Sequence, residues 1–155
     1  MAYRITGIDP APYLHLYGLS DEELVGQGVV RMIADEKPSY PCRVSLADRD
    51  IGESMLLVNH VSHDVANPYR ASHAIFVAEG AEEPAEFVDE VPPVFGPRVM
   101  SLRGFDKDGM LVDAILTQPG EAEAGIRELF DNPEIDTIHA HNAGRGCFSA
   151  KIERN

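Results

Sequence analysis

The alternation of apolar and polar positions changes period several times along the chain, and each change marks an element. Ser20-Asp21-Glu22-Glu23-Leu24 has capping-box spacing, with Ser20 placed to accept a backbone N–H and Glu23 placed to reach back. The pattern predicts a short helix from there to about Gly28, then a strand over Val29–Asp35. After a turn at Lys37-Pro38-Ser39, a second strand is expected with Cys42, Val44 and Leu46 on one face and Arg43 and Ser45 on the other. Ser54–Val61 and His73–Ala78 are apolar runs of strand length. Residues 79–97 combine six carboxylates with four prolines, which forbids a central strand and predicts a solvated loop. Arg98–Phe105 and Met110–Thr117 flank Asp106-Lys107-Asp108-Gly109, the clearest hairpin signal in the chain. That Asp-rich segment lacks the later bidentate Glu of a calcium loop and reads as a turn. Glu121–Phe130 predicts a helix with Ile126, Leu129 and Phe130 on one side, ended by Pro133. Thr137–Ala143 and Cys147–Glu153 predict a closing hairpin. About seven strands and two short helices, joined mostly by turns, imply an α+β domain around a mainly antiparallel sheet.

The last hairpin concentrates the chemistry. Ile138 and Ala140 alternate with His139 and His141, and Phe148, Ala150 and Ile152 alternate with Cys147, Ser149 and Lys151. Matching the apolar sets puts Ala140 opposite Ala150, leaves Gly144-Arg145-Gly146 as the loop, and gathers His139, His141, Cys147 and Ser149 on one face. Pro41-Cys42-Arg43 and Tyr69-Arg70-Ala71-Ser72-His73 have similar residue types.

Three chemistries suit these residues. His-x-His on a strand aims both imidazoles to one side, so His139 and His141 with Cys147 could hold zinc, with His60, His63, His73 or Cys42 as further ligands. No Cys-x-x-Cys or His-Glu-x-x-His pattern accompanies them, and no metal or cofactor is assigned. Alternatively Cys147 is a nucleophile, with His139 and His141 as the catalytic partners beside Arg145, and with the Gly146 and Cys147 amides or Asn142 as oxyanion donors. The third is anion recognition by Arg43, Arg70, Arg103 and Arg145, helped by Ser72, His73 and Asn142. The bland counterpart is a set of ion pairs to groups such as Asp48, Asp106 and Asp113; Arg4, Arg49, Arg127 and Arg154 are read that way from the start.

Composition narrows the partners. At 155 residues, 44% hydrophobic and 25% charged, the chain has the length and character of one globular domain spanning residues 1–155. A net charge of -13 argues against nucleic acid or an anionic membrane as partner. No stretch approaches the roughly 18 consecutive apolar residues of a membrane span, and no secretory apolar run opens the chain, so the cytoplasm is the expected compartment. There, the two cysteines are expected as free thiols.

The motifs Pro41–Leu46, Tyr69–Val77 and His139–Cys147, together with Leu19–Leu24 and Ser101–Asp106, resemble the bacterial domain of unknown function 1203 family. That resemblance implies a small single-domain bacterial protein; it supplies no activity and no site residues. Two readings therefore stand. In one, a small anionic molecule binds, or reacts, in a His/Arg/Cys pocket. In the other, the chain is a non-catalytic interaction or homo-oligomerisation module whose acidic 79–97 loop meets a basic partner. Convergence of the three motif segments around a concavity favours the first; scatter, or a filled polar network, favours the second.

Overall fold

The computed structural model describes all 155 residues. Its strands are β1 (Tyr3–Thr6), β2 (Val30–Ile33), β3 (Pro41–Cys42), β4 (Ala47–Asp48), β5 (Ser54–His63), β6 (Ala71–Ala78), β7 (Glu86–Val88), β8 (Met100–Phe105), β9 (Leu111–Thr117), β10 (Thr137–Asn142) and β11 (Phe148–Arg154). The α-helices are α1 (Asp21–Gly26) and α2 (Ala122–Phe130), and two short 3-10 turns cover Ala11–Leu16 and Pro93–Phe95. The class is α+β, as expected, and every strand pairing is antiparallel. No helix is long and apolar enough to cross a membrane.

A six-stranded sheet runs in the order β7-β1-β11-β10-β8-β9, and a three-stranded sheet in the order β2-β5-β6. One face of the large sheet carries Ile5, Met100, Leu102, Ile138, Ala140, Ala150 and Ile152, and packs against Ile126, Leu129 and Phe130 of α2 and against Val94 and Phe95. This is the face that the alternation predicts, and Ala140 does pair with Ala150. The second core lies around the small sheet: Leu56, Val58, Ile75 and Val77 meet Leu24 of α1, Tyr13, Leu16, Val44 and Phe148. The Ser20 capping box closes in both directions, at 3.1 Å and 2.8 Å. Arg31 then ties α1 to the small sheet by binding Asp21, the Leu19 carbonyl and Glu79 together.

The structure departs from the sequence expectations in three places. The count of strands exceeds seven because the short β1 and β7 join the edge of the large sheet and because residues 41–48 form two strands. β7 lies inside the proline-rich 79–97 segment, yet it is an edge strand, the one sheet position that segment tolerates. Residues 41–48 do not form one strand: the chain turns between β3 and β4, with Leu46 at φ 53, and the expected alternation fails. Cys42 and Val44 join the second core, Leu46 joins the first, and Arg43 points inward, buried. Of the arginines assigned to surface pairs, Arg4, Arg49 and Arg127 do pair with Glu86, Glu53 and Glu123. Arg154 instead donates to the carbonyls of Phe130, Asn132 and Ile135 beyond α2.

The 41–44 segment passes so close to residue 7 that only glycine fits there: a Cβ on Gly7 would sit 2.0 Å from the Val44 carbonyl oxygen. A backbone atom cannot swing aside as a side-chain tip can. Gly7→Ala is therefore expected to lower stability by about 2–4 kcal/mol, in the upper range for single substitutions. Gly144→Ala, where a Cβ meets nothing within 4 Å, is the control and should stay near wild type in urea unfolding.

Candidate functional site

The turn joining β10 to β11 holds itself shut. Asn142 N–H donates to the Cys147 carbonyl at 2.9 Å and Gly146 N–H to the Asn142 carbonyl at 2.8 Å, while Gly146 takes the positive φ of 77° that such a loop requires. A β-bulge follows: Ala140 faces Ala150, but His141 faces Phe148. That extra residue reverses the alternation expected for β11. Phe148 leaves the apolar face shared by Ala150 and Ile152 and joins the histidine face, with its ring 5.4 Å from His139 and 5.7 Å from His141.

The small sheet answers with histidines of its own. His60 and His73 are direct partners across β5 and β6, and a second bulge between Val61 and His63 turns His63 to the same side. Without it, His60 and His63, three positions apart on a strand, would face opposite ways. The two sheets thus meet in a layer of rings, with His63 4.9 Å from His139, His73 5.0 Å from His141, and Phe105 4.2 Å from His63. His141 Nδ1–H donates to the Gly146 carbonyl at 2.9 Å, His63 Nε2–H donates to the Gly109 carbonyl at 2.9 Å, and the Tyr13 hydroxyl bonds His60 Nδ1 at 2.7 Å. Burial drives the His139 imidazole down to about 3 and His141 to about 4, with the neighbouring histidines and Arg103 acting in the same direction. Both rings are uncharged near neutral pH. They pack as polarised aromatics inside the fold; His139 borders a smaller cleft of about 330 Å³ with His63, Asp106 and Lys151, and the two rings do not line one pocket together.

The open concavity lies beside this layer. A cleft of about 800 Å³ is lined by Arg43, Asn142, Arg145, Cys147 and His73, with Tyr40, Leu57, Phe76 and Val99 as apolar walls. Five of the expected site residues therefore converge. Others do not: Arg70 is exposed and pairs with Asp64 at 3.3 Å, and Ser72 is exposed opposite Val61. Arg103 lies on the histidine face, its Nε bonded to Ser101 Oγ at 3.3 Å. Arg98 was not singled out by the sequence. It lines the cleft and holds Asp48 with two bonds, at 2.7 Å and 2.6 Å, in a pair that is largely buried.

At the floor sits Arg43, 2% exposed. Its Nε donates to the Phe148 carbonyl at 2.9 Å, Nη1 to the Pro41 carbonyl at 2.8 Å, and Nη2 to Cys147 Sγ at 3.2 Å. No carboxylate lies within ion-pair distance. Burial pulls its titration below the ordinary guanidinium range, while Cys147 favours the cation and Arg98 opposes it. Cys147 is half-buried and accepts a second donor, Asn142 Nδ2, at 3.3 Å. Both cysteines are free thiols; Cys42 is buried, accepting from the Ala78 and Ser45 amides. His139, His141 and Cys147 are not arranged as a ligand set, and no three His, Cys, Asp or Glu side chains meet with metal-holding geometry.

Residues 39–154 match the family described as a protein of unknown function (DUF1203). The chain belongs to the DUF1203 family. The matched span contains Arg43, His73, Arg98, Asn142, Arg145 and Cys147, whereas β1 and α1 precede it. The chain matches no curated protein and no solved structure.

The two buried, uncharged rings of His139 and His141 make the stability of this chain depend on pH. His139 and His141 bind protons in the unfolded chain below the ordinary value of 6.5 and bind them in the fold only near 3 and 4. The unfolded state thus holds more protons as pH falls through 6.5, and stability declines with pH across that window. From pH 7 to pH 5 the loss is about 2 kcal/mol for each histidine. Urea unfolding at the two pH values should show it, and His139→Phe should remove its own share, about 2 kcal/mol. A pH-independent midpoint over that range would contradict the assignment of neutral rings.

Proposed function

We propose that the cleft binds a small organic acid, its acidic end toward Arg43 and Arg145 and its apolar body against Tyr40, Leu57 and Phe76. The observation that carries this reading is Arg43. A guanidinium removed from water costs several kcal/mol unless an opposite charge and full hydrogen bonding offset it, and here its acceptors are two neutral carbonyls and one sulfur. The nearby carboxylates are engaged elsewhere: Asp48 is held by Arg98, and Glu36 accepts from Ser39. Arg145 is exposed on the rim with no ion pair or side-chain hydrogen bond of its own. Two unpaired guanidinium groups thus face one cleft in a chain whose net charge is -13. A volume of about 800 Å³ suits a small molecule, and mixed apolar and polar lining is what such sites present.

Within the acidic 79–97 segment, two of the carboxylates are already engaged inside the fold. Glu79 is tied to Arg31, Ser54 and the Gly18 amide, which holds its carboxyl down at about 2, and Glu86 pairs β7 to Arg4.

Isothermal titration with octanoate and with octylammonium, which share a chain and differ in charge, tests the proposal. Octanoate should bind and octylammonium should not. Arg145→Ala, which removes an exposed side chain, should weaken octanoate about tenfold while leaving the unfolding midpoint unchanged, a loss of about 1.4 kcal/mol. Equal affinity for acid and amine overturns the anion reading.

A further inference from the structure

We infer that Cys147 is a nucleophilic thiol that exchanges with small disulfides carrying carboxylate groups; the inference rests on the anion reading of the same cleft. Three observations lead to it. Arg43, 98% buried by its 2% exposure, directs one of its three nitrogens at Cys147 Sγ, and the sulfur is the only atom among its acceptors able to carry negative charge. Asn142 supplies a second N–H to the sulfur, while its own Oδ1 is buried without a partner. An unmet buried acceptor is unfavourable, and the amide's one side-chain contact is the donor it gives to Cys147. The sulfur itself lines the cleft where Arg43 and Arg145 await an anion.

The surroundings also select the reaction. Acyl transfer from an amide or ester needs a proton delivered to the leaving group and donors aimed at an oxyanion. Here no imidazole hydrogen-bonds Cys147: His141 donates inward to the Gly146 carbonyl, and His139 stacks between the sheets. The Gly146 amide is taken by the Asn142 carbonyl. Thiol–disulfide exchange requires neither device, because the departing sulfur leaves as a thiolate. The Cys147 thiolate, its proton released to solvent, attacks one sulfur of the incoming disulfide. A new S–S bond forms as the old one breaks, and the electron pair leaves on the other half as a free thiolate. Cys147 is oxidised and the departing thiol reduced, so no further oxidant enters.

The second cysteine shapes the outcome. Cys42 is fully buried, with two backbone amides donating to its sulfur, and it does not line the cleft. It therefore does not resolve the mixed disulfide from within. The adduct persists until an external thiol removes it, and while present it occupies the organic-acid cleft.

The test uses the full chain with two disulfides of opposite charge, glutathione disulfide and cystamine, followed by intact-mass and peptide analysis. Each rate is divided by that of a free cysteine peptide with the same reagent. One adduct at Cys147, none at Cys42, and a corrected preference for glutathione disulfide of about tenfold or more is expected; tenfold corresponds to about 1.4 kcal/mol. Arg145→Glu should abolish the preference while the fold is retained. A corrected preference for cystamine, or a Cys147 no more reactive than Cys42, overturns the inference. Octanoate titration of Cys147→Ser separates the two readings. If that variant still binds octanoate while wild type fails to exchange, only the thiol inference falls. If neither occurs, the anion reading falls with it.

Discussion

The fold is organised around the burial of one positive charge. Arg43 sits where the large sheet, the small sheet and the β10–β11 turn converge. Its backbone N–H bonds the Phe76 carbonyl on β6, its carbonyl accepts from Ile8 just beyond β1, and its side chain reaches the Phe148 carbonyl on β11. Every one of those bonds crosses between parts of the chain far apart in sequence. Holding a guanidinium there without a carboxylate requires all of its acceptors to be in place at once. That requirement explains the geometry of its neighbours: the abrupt turn with Leu46 at positive φ, the close pass at Gly7 and the closed loop that presents Cys147 Sγ. The site is thus a consequence of how the sheets are joined.

Beside that joint, the two sheets meet through rings instead of through aliphatic side chains. Histidine fills the role of a flat, medium-sized packing residue at five positions, His60, His63, His73, His139 and His141, with Phe105 and Phe148 among them. A neutral imidazole satisfies one backbone carbonyl and stacks with its remaining edge, which an aliphatic residue cannot do. The cost is exposure to protonation. Two bulges, one in β5 and one opposite His141 in β11, are what bring this layer into register.

Much of this was legible in the sequence wherever the signal is local. The Ser20–Glu23 box, the Asp106–Gly109 turn, the α2 stripe and the Ala140–Ala150 register all depend on residues close in the chain, and all are found. The rest depends on partners far away or on single inserted residues. β1 and β7 are too short to announce themselves; β1 is held by β11 beside it and β7 by β1. Residues 41–48 alternate like a strand but are bent by contacts with residue 7 and with β6. At the site, Arg43, His73, Asn142, Arg145 and Cys147 were picked by residue type and do converge, whereas the His-x-His pair was assigned to the pocket because periodicity cannot reveal a bulge. Arg98 had no signal at all, since its importance comes from Asp48, fifty positions earlier.

The position of β1 has a consequence for how the molecule comes into being. It is an interior strand of the large sheet, flanked by β7 on one side and by β11 on the other, with Tyr3 opposite Arg154. Its pairing with β7 joins residues about 80 positions apart, and its pairing with β11 joins residues about 150 positions apart. The long loop this closes is the kind of contact that slows folding. It also means that the span matched by the family, residues 39–154, contains β7 and β11 without the strand that lies between them. The turn that presents Cys147 to the cleft runs directly into β11, and is anchored through it to a strand about 150 positions away in sequence.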